Sequence, residues 1–418
     1  MTSVEGGDQM RFNFMFGCLP RARDGRVRPA LPWLCLLFWV GMPFPVAAHE
    51  PPIAPAALEQ AMLGLMDKWQ VHGTAVSLIE AGEVVLEQGY GWADTEASLP
   101  ALPTTVFQVA SISKAVSAAV ALRLVQEGLL DLDVPISGYL TRWQLPESEF
   151  DSDEVTLRRV LSHTAGLSVP GYMGFPPDQP AQSLEASLIS AADAGGQPLT
   201  VMLPPGKQWA YSGGGFTLMQ LVIEEVTGRP FADVARTKIL APLGMDLSSF
   251  GDHPRLRGHK ARAYTAQGQA VLEHHFTALA AAGLWATAGD IARFASGLMR
   301  VLEDSAGTQE RAQRFLGKPL VQDMFSVQPN ADSGLVFAGS RWGLGMGLLQ
   351  LSGQEGLLGF HPGDNPPAWH ALLALLPEQQ KGFVVLTNGE HGEALAMDAF
   401  CLWIKAVRLE KPAACPAD

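Results

Sequence analysis

Phe107-Gln108-Val109-Ala110-Ser111-Ile112-Ser113-Lys114-Ala115-Val116 is the stretch on which the reading of this chain turns. It is a short apolar approach followed by a helical run over residues 115–127. Ser111 stands at the N-terminal edge of that run, where serine is favoured as a cap. Lys114 follows three residues on, so on a helix the two side chains share one face, a turn apart. A serine hydroxyl becomes a nucleophile when a neighbouring base takes its proton. A lysine desolvated beside a helix start has a lowered pKa and can be that base. The same helix start aims free backbone N–H groups at developing negative charge. Taken alone, Ser-x-x-Lys is also what an ordinary cap and a surface lysine would give. Two features count against that reading. No other lysine in the chain has a serine three residues before it, and Ala115, Val116, Ala118 and Ala119 around Lys114 are small or apolar rather than charged.

Composition bounds the class. With 47% hydrophobic and 17% charged residues, the 418-residue chain suits a globular fold of one large or two modest domains, not a disordered one. A formal net charge of -13 argues against nucleic acid as a partner, which needs clustered Lys and Arg. It fits a protein acting on a small molecule or short peptide. At the N-terminus, Arg21, Arg23, Arg26 and Arg28 precede the apolar core Trp33-Leu34-Cys35-Leu36-Leu37-Phe38-Trp39-Val40, and Val46-Ala47-Ala48 offers small residues for cleavage. Residues 1–48 thus read as a signal peptide cleaved after Ala48, exporting the chain to the periplasm or beyond. The core is too short to span a bilayer; a retained N-terminal anchor is the alternative. Cys18 and Cys35 fall in this leader. Cys401 and Cys415 either pair, pinning the tail to the last helix, or stand as a buried thiol and a free one.

Along the chain, Leu58, Met62, Leu65, Met66 and Trp69 recur at helical spacing over residues 55–70. Residues 74–80 and 84–90 read as strands around Ala81-Gly82-Glu83, a hairpin signal. Helices are expected over 155–163, 183–194, 216–226, 231–239, 289–301 and 393–408, and strands over 369–376 and 382–387. The Gly-rich run over 342–351 also reads as a strand, and the Gly- and Pro-rich run over 166–180 as a loop. Strands at both ends with helices between give an α+β fold: a sheet domain with a mainly helical domain inserted. The expected parts are the leader (1–48), a first sheet part carrying the nucleophile helix (49–130), a mainly helical part (131–280), a second sheet part (281–410) and a polar tail (411–418).

Three stretches together resemble the serine β-lactamase and penicillin-binding-protein superfamily, most closely its class C-like branch of D-aminopeptidases, D,D-carboxypeptidases and family VIII esterases. They are Ser111-Ile112-Ser113-Lys114; Tyr211-Ser212-Gly213, where that branch has Tyr-x-Asn; and His361-Pro362-Gly363, where members carry Lys-Thr-Gly or His-x-Gly ahead of an active-site strand. Residues 159–167 (Arg-Val-Leu-Ser-His-Thr-Ala-Gly-Leu) and 286–290 (Ala-Thr-Ala-Gly-Asp) support the match, which covers most of residues 55–408. The resemblance implies a β-lactamase-like antiparallel sheet flanked by helices. It implies that Ser111 is acylated, that Lys114 and Tyr211 share proton transfer as a coupled pair with the phenolate favoured, and that His361 is catalytic. The oxyanion hole would be the N–H groups of Ser111 and Asp364, with Gly363 letting the strand approach the substrate. No cofactor or metal is expected, and a cell-wall peptide is a candidate partner.

Two departures bear on substrate. Gly213 lacks the amide that many β-lactamases use to bind substrate, and His361 replaces a lysine whose permanent charge faces the β-lactam carboxylate. Both favour an ester or peptide-like amide, as in a carboxylesterase or D-amino-acid peptidase, over a β-lactam ring. A β-lactamase and a non-catalytic penicillin-binding or sensor protein on the same fold are the alternatives. There is no Gly-x-Ser-x-Gly elbow and no His-Glu-x-x-His; His274-His275 reads as a solvated pair, and Gly343-x-Gly345-x-Gly347 lacks the dinucleotide fingerprint.

Overall fold

Strands β1 (Gly73–Glu80) and β2 (Glu83–Asp94) pair with Glu80 opposite Glu83. Ala81 and Gly82 form the two-residue turn between them, with φ of 48° and 72°. A tight hairpin of this twist needs positive φ at both central residues. The hairpin lies next to one edge strand of an eight-stranded sheet in the computed structural model, which describes residues 49–303 and 315–415; the leader reading falls outside them. Its strand order is β3-β2-β1-β11-β10-β9-β8-β7. Every pairing is antiparallel. The remaining strands are β3 (Leu99–Pro100), β7 (Arg341–Trp342), β8 (Gly347–Leu349), β9 (Leu358–Asn365), β10 (Trp369–Leu376) and β11 (Lys381–Thr387). The two chain ends meet where β1 lies along β11, Thr74 opposite Thr387.

Both faces of this sheet are covered, which is why β10 reads as an unbroken apolar run. Leu372, Ala374 and Leu376 face a layer containing α1 (Pro55–Trp69) and the last helix, Gly392–Ala406. Ala371, Leu373 and Leu375 face the larger core, shared with α2 (Ile112–Gln126) and the helices between residues 131 and 303. Cys401 and Cys415 are joined by a disulfide on the first of these layers. A small second sheet, β4-β6-β5, ties Phe107–Gln108 (β4) to Leu284–Ala286 (β6) and Ser249–Phe250 (β5). It holds the strand that leads into Ser111.

The structure differs from the sequence expectation at several points. The helix expected over 155–163 is only Leu157–Leu161 (α3), and that over 183–194 is Leu184–Ile189 (α4) plus a 3-10 turn. The helix expected from residue 216 begins at Gly213 (α5, Gly213–Thr227), because the Ser212 hydroxyl caps it by accepting the Gly215 N–H at 2.9 Å. The Gly-rich run over 342–351 is two short strands around a turn. Gly345 there adopts φ 76°, and a Cβ would lie 2.4 Å from that of Ala118. Strand β9 was not expected; it carries His361-Pro362-Gly363 within it rather than ahead of it.

Candidate active site

Helix α2 is buried along nearly its whole length, so Lys114 points into protein and not into water. Entry to the helix is tight: Ala110 takes φ 49°, a conformation unfavourable for a residue with a Cβ. Ser111 occupies the N-cap position but makes no side-chain cap bond. Its hydroxyl is spared for Lys114, whose Nζ lies 3.1 Å from Ser111 Oγ. Lys114 Nζ also donates to the Ala281 carbonyl at 2.8 Å. Burial pulls the Lys114 pKa down to about 7, which leaves much of it as neutral amine at neutral pH.

Tyr211 is brought to the same place from one hundred residues along the chain, just ahead of α5. Its phenol interacts with the Ser111 side chain, which acts to lower its pKa, and Lys114 Nζ lies 4.9 Å from its ring centroid. Ser111 and Tyr211 stay partly accessible, while Lys114 is buried behind them. The expected phenolate is not favoured. Burial pushes the Tyr211 phenol up, the Ser111 side chain only partly opposes that, and Asp364 adds to the rise. Of the pair, Lys114 is the group nearer to giving and taking protons at neutral pH.

His361 faces this cluster from β9, opposite Leu373 on the larger-core side of the sheet. It is fully buried. Burial lowers its pKa to about 3, the Pro362 carbonyl opposes that, and Lys114 lowers it further, so it is neutral. Its Nδ1 donates to the Pro362 carbonyl at 2.7 Å. Strand β8 pairs with β9 only as far as Phe360, so residues 361–365 leave one edge open towards the nucleophile turn. Asp364 lies on that stretch with its carboxylate exposed, 3.2 Å from His370 Nδ1. Among the described residues the Ser111 N–H has no acceptor. The close approach at Gly363 is to the chain itself: a Cβ there would lie 2.3 Å from the Val109 carbonyl oxygen. Gly213 is buried in the first turn of α5 and gives its N–H to the Pro170 carbonyl at 3.1 Å, so it presents neither a side chain nor a free amide.

Sequence reasoning missed several residues that build this site. Asn365 donates to Gln108 Oε1 at 2.8 Å and to the Ala282 carbonyl, stitching β9 to β4. Gln108 in turn donates to the His274 carbonyl at 2.9 Å. His274 is not simply solvated: its Nδ1 lies 2.8 Å from the Met173 carbonyl oxygen and pins the 166–180 loop. His163 and Trp342 complete an aromatic wall around Tyr211. His163 was visible in its stretch of sequence, but nothing local marks a contact made with residues far along the chain.

Known proteins resemble this chain in sequence and fold. The chain is 30% identical over 183 residues to penicillin-binding protein 4* of Bacillus subtilis (44% of this chain, 38% of the relative). It is 26% identical over 203 residues to protein flp of Staphylococcus aureus (49% and 40%). It therefore spans about two fifths of the length of these curated relatives. Among solved structures it superposes on an octameric penicillin-binding protein homologue from Pyrococcus abyssi with a TM-score of 0.70, at 24% identity, covering 84% of this chain and 78% of that one. That likeness bears on fold. The β-lactamase family model matches residues 58–403. With that match spanning most of the chain and both ends of the sheet, the chain belongs to the β-lactamase family, within the serine β-lactamase and penicillin-binding-protein superfamily.

Proposed function

We propose that the protein is a serine hydrolase that works through a transient acyl-enzyme at Ser111 on ester or peptide-like amide bonds, of the carboxylesterase or D-amino-acid peptidase type. The observation that carries this is the meeting of three groups: Ser111 Oγ, Lys114 Nζ at 3.1 Å from it, and the Tyr211 phenol, whose ring lies 4.9 Å from the same Nζ and which interacts with the serine side chain. The neutral Lys114 amine, oriented by its N–H to Ala281, takes the Ser111 proton as Oγ attacks the carbonyl carbon. The N–H groups of Ser111 and Asp364 receive the developing oxyanion. The protonated Tyr211 phenol passes a proton to the leaving group and is reprotonated from Lys114. Water then attacks the acyl carbon by the same route in reverse. A neutral His361 places no fixed charge for a β-lactam carboxylate, and Gly213 offers no amide donor; both support an ester or amide over a β-lactam ring.

A fluorophosphonate probe is expected to label the purified protein at Ser111, and Ser111→Ala to abolish labelling; unchanged labelling of the variant would refute the proposal. A rate panel of nitrocefin, short-chain p-nitrophenyl esters and D-alanyl-D-alanine peptides should show turnover of the latter two above nitrocefin. A stable penicillin adduct with no turnover of any substrate would instead identify a sensor. Export is part of the same proposal: a disulfide between Cys401 and Cys415 suits an oxidising compartment, and N-terminal sequencing of protein from the periplasm should begin at His49.

A further inference from the structure

We propose that His163 is the positioning residue of this site, holding the Tyr211 phenol against Ser111. The inference rests on the acyl-transfer reading above. His163 grips three successive residues. Its carbonyl accepts the Ala210 N–H at 2.8 Å. Its ring lies 4.3 Å from the Tyr211 ring, tilted by 33°. Its Nδ1 accepts the Ser212 N–H at 3.1 Å. The backbone on both sides of Tyr211 and the face of its ring are thus set by one residue, the Ala210 side through its main chain and the Ser212 side and ring face through its side chain. That side chain is 2% exposed and comes from a residue held at φ 57°. Strain of this kind persists where surrounding contacts over-determine it.

The ring's chemistry fits the task. Because Nδ1 accepts an amide proton, the proton of the neutral imidazole sits on Nε2. His361 has the opposite tautomer, with Nδ1 donating to Pro362 and Nε2 left as acceptor. Both Nε2 atoms are buried without a partner among the described residues, and both rings pack on Trp342, at 5.3 and 5.4 Å. A donor on the second motif's support and an acceptor on the third motif therefore border the same aromatic wall. Burial, with Lys114 nearby, keeps both rings uncharged. Two neutral rings leave the Lys114 amine without a competing cation at its back.

The experiment compares His163→Ala with His163→Asn, since an Asn side-chain oxygen can accept the Ser212 N–H and Asn tolerates the left-handed conformation. A displaced phenol costs rate more than binding, so His163→Ala is expected to lower kcat about a hundred-fold with KM little changed, and His163→Asn to recover most of that loss. A second readout needs no turnover. With 3-fluorotyrosine incorporated, the 19F signal of Tyr211, assigned by Tyr211→Phe, should shift and broaden in His163→Ala and return towards wild type in His163→Asn. If wild type fails to acylate, the functional reading falls while the 19F signals still decide the role of His163. If wild type acylates and both variants keep its kcat and its Tyr211 signal, the inference is overturned and the functional reading stands. Should His163→Ala not fold, His163→Asn decides: near-wild-type values for both readouts uphold the proposal, and loss of both in a folded protein overturns it.

Discussion

Lys114 is a cationic side chain placed where a cation is least welcome. Burial alone pulls its pKa from 10.5 to about 7. The folded pKa of this base is depressed, so between about 7 and 10.5 the unfolded chain binds more protons than the folded one. Stability then rises with pH across that window; the cost of burying the amine is full below it and gone above it. That cost is several kcal/mol at roughly 1.4 kcal/mol per pKa step. Replacing Lys114 by Met removes it but strands the Ala281 carbonyl, which takes back about 1–3 kcal/mol. The expected outcome is a Lys114→Met protein about 2 kcal/mol more stable than wild type near pH 6 by urea unfolding, a gain that shrinks near pH 9, and no probe labelling at any pH. In wild type the acylation rate should climb as pH rises through about 7, because only the neutral amine takes the serine proton. His361, held down to about 3, adds no limb near neutrality. A flat rate between pH 6 and 8 would remove Lys114 as the base.

Among the elements, the first turn of α5 and the 166–180 loop are built against one another. Ser212 Oγ donates to the Ser168 carbonyl at 2.6 Å, Gly214 N–H to that of Val169 at 2.8 Å, and Gly213 N–H to that of Pro170. A Cβ at Gly213 would lie 3.1 Å from the Pro170 oxygen and 3.3 Å from Tyr172 Cε2. The missing amide is therefore not a simple deletion: the loop occupies its space. Gly213→Asn should cost about 1–3 kcal/mol by overpacking and should leave nitrocefin hydrolysis no faster. A clear gain in nitrocefin turnover would show that the loop yields. The same contrast explains what was legible in the sequence. Helices α1 and α2, the β1–β2 hairpin and strands β10 and β11 announce themselves by local periodicity and turn chemistry. Strand β9 does not: Leu-Gly-Phe-His-Pro-Gly-Asp-Asn has two glycines and a proline, residues that argue against a strand. It is a strand because β10 pairs along it and the Val109 turn demands a glycine at 363. Ser111, Lys114, Tyr211 and His361 could be named from their motifs, whereas the grip of His163 on residues 210–212 is a tertiary fact with no local mark.

For the whole molecule, the sheet divides labour between its faces. The larger core contains α2 and the cluster around Ser111; the other face is closed by α1 and the last helix, both from the ends of the chain. The disulfide between Cys401 and Cys415 joins that last helix to the tail, across 14 residues of sequence, wholly within the layer of α1 and the last helix. Two thiols in a sequence could not say whether they meet; here the tail folds back, with the Cys415 N–H bonded to the Pro412 carbonyl. Closing a loop of this length restricts the unfolded chain by about 3 kcal/mol. Its removal acts on the layer across the sheet from the nucleophile. Cys415→Ser should therefore lower stability by about 2–3 kcal/mol in urea unfolding, and the native protein should show the same loss on reduction with dithiothreitol. The rate of Ser111 labelling should stay within about two-fold of wild type well below the unfolding midpoint, since distant independent sites add rather than couple. A variant that loses labelling in step with the disulfide, while still folded, would mean that the two faces are mechanically coupled through β10 and β11, and that the last helix helps to set the position of β9.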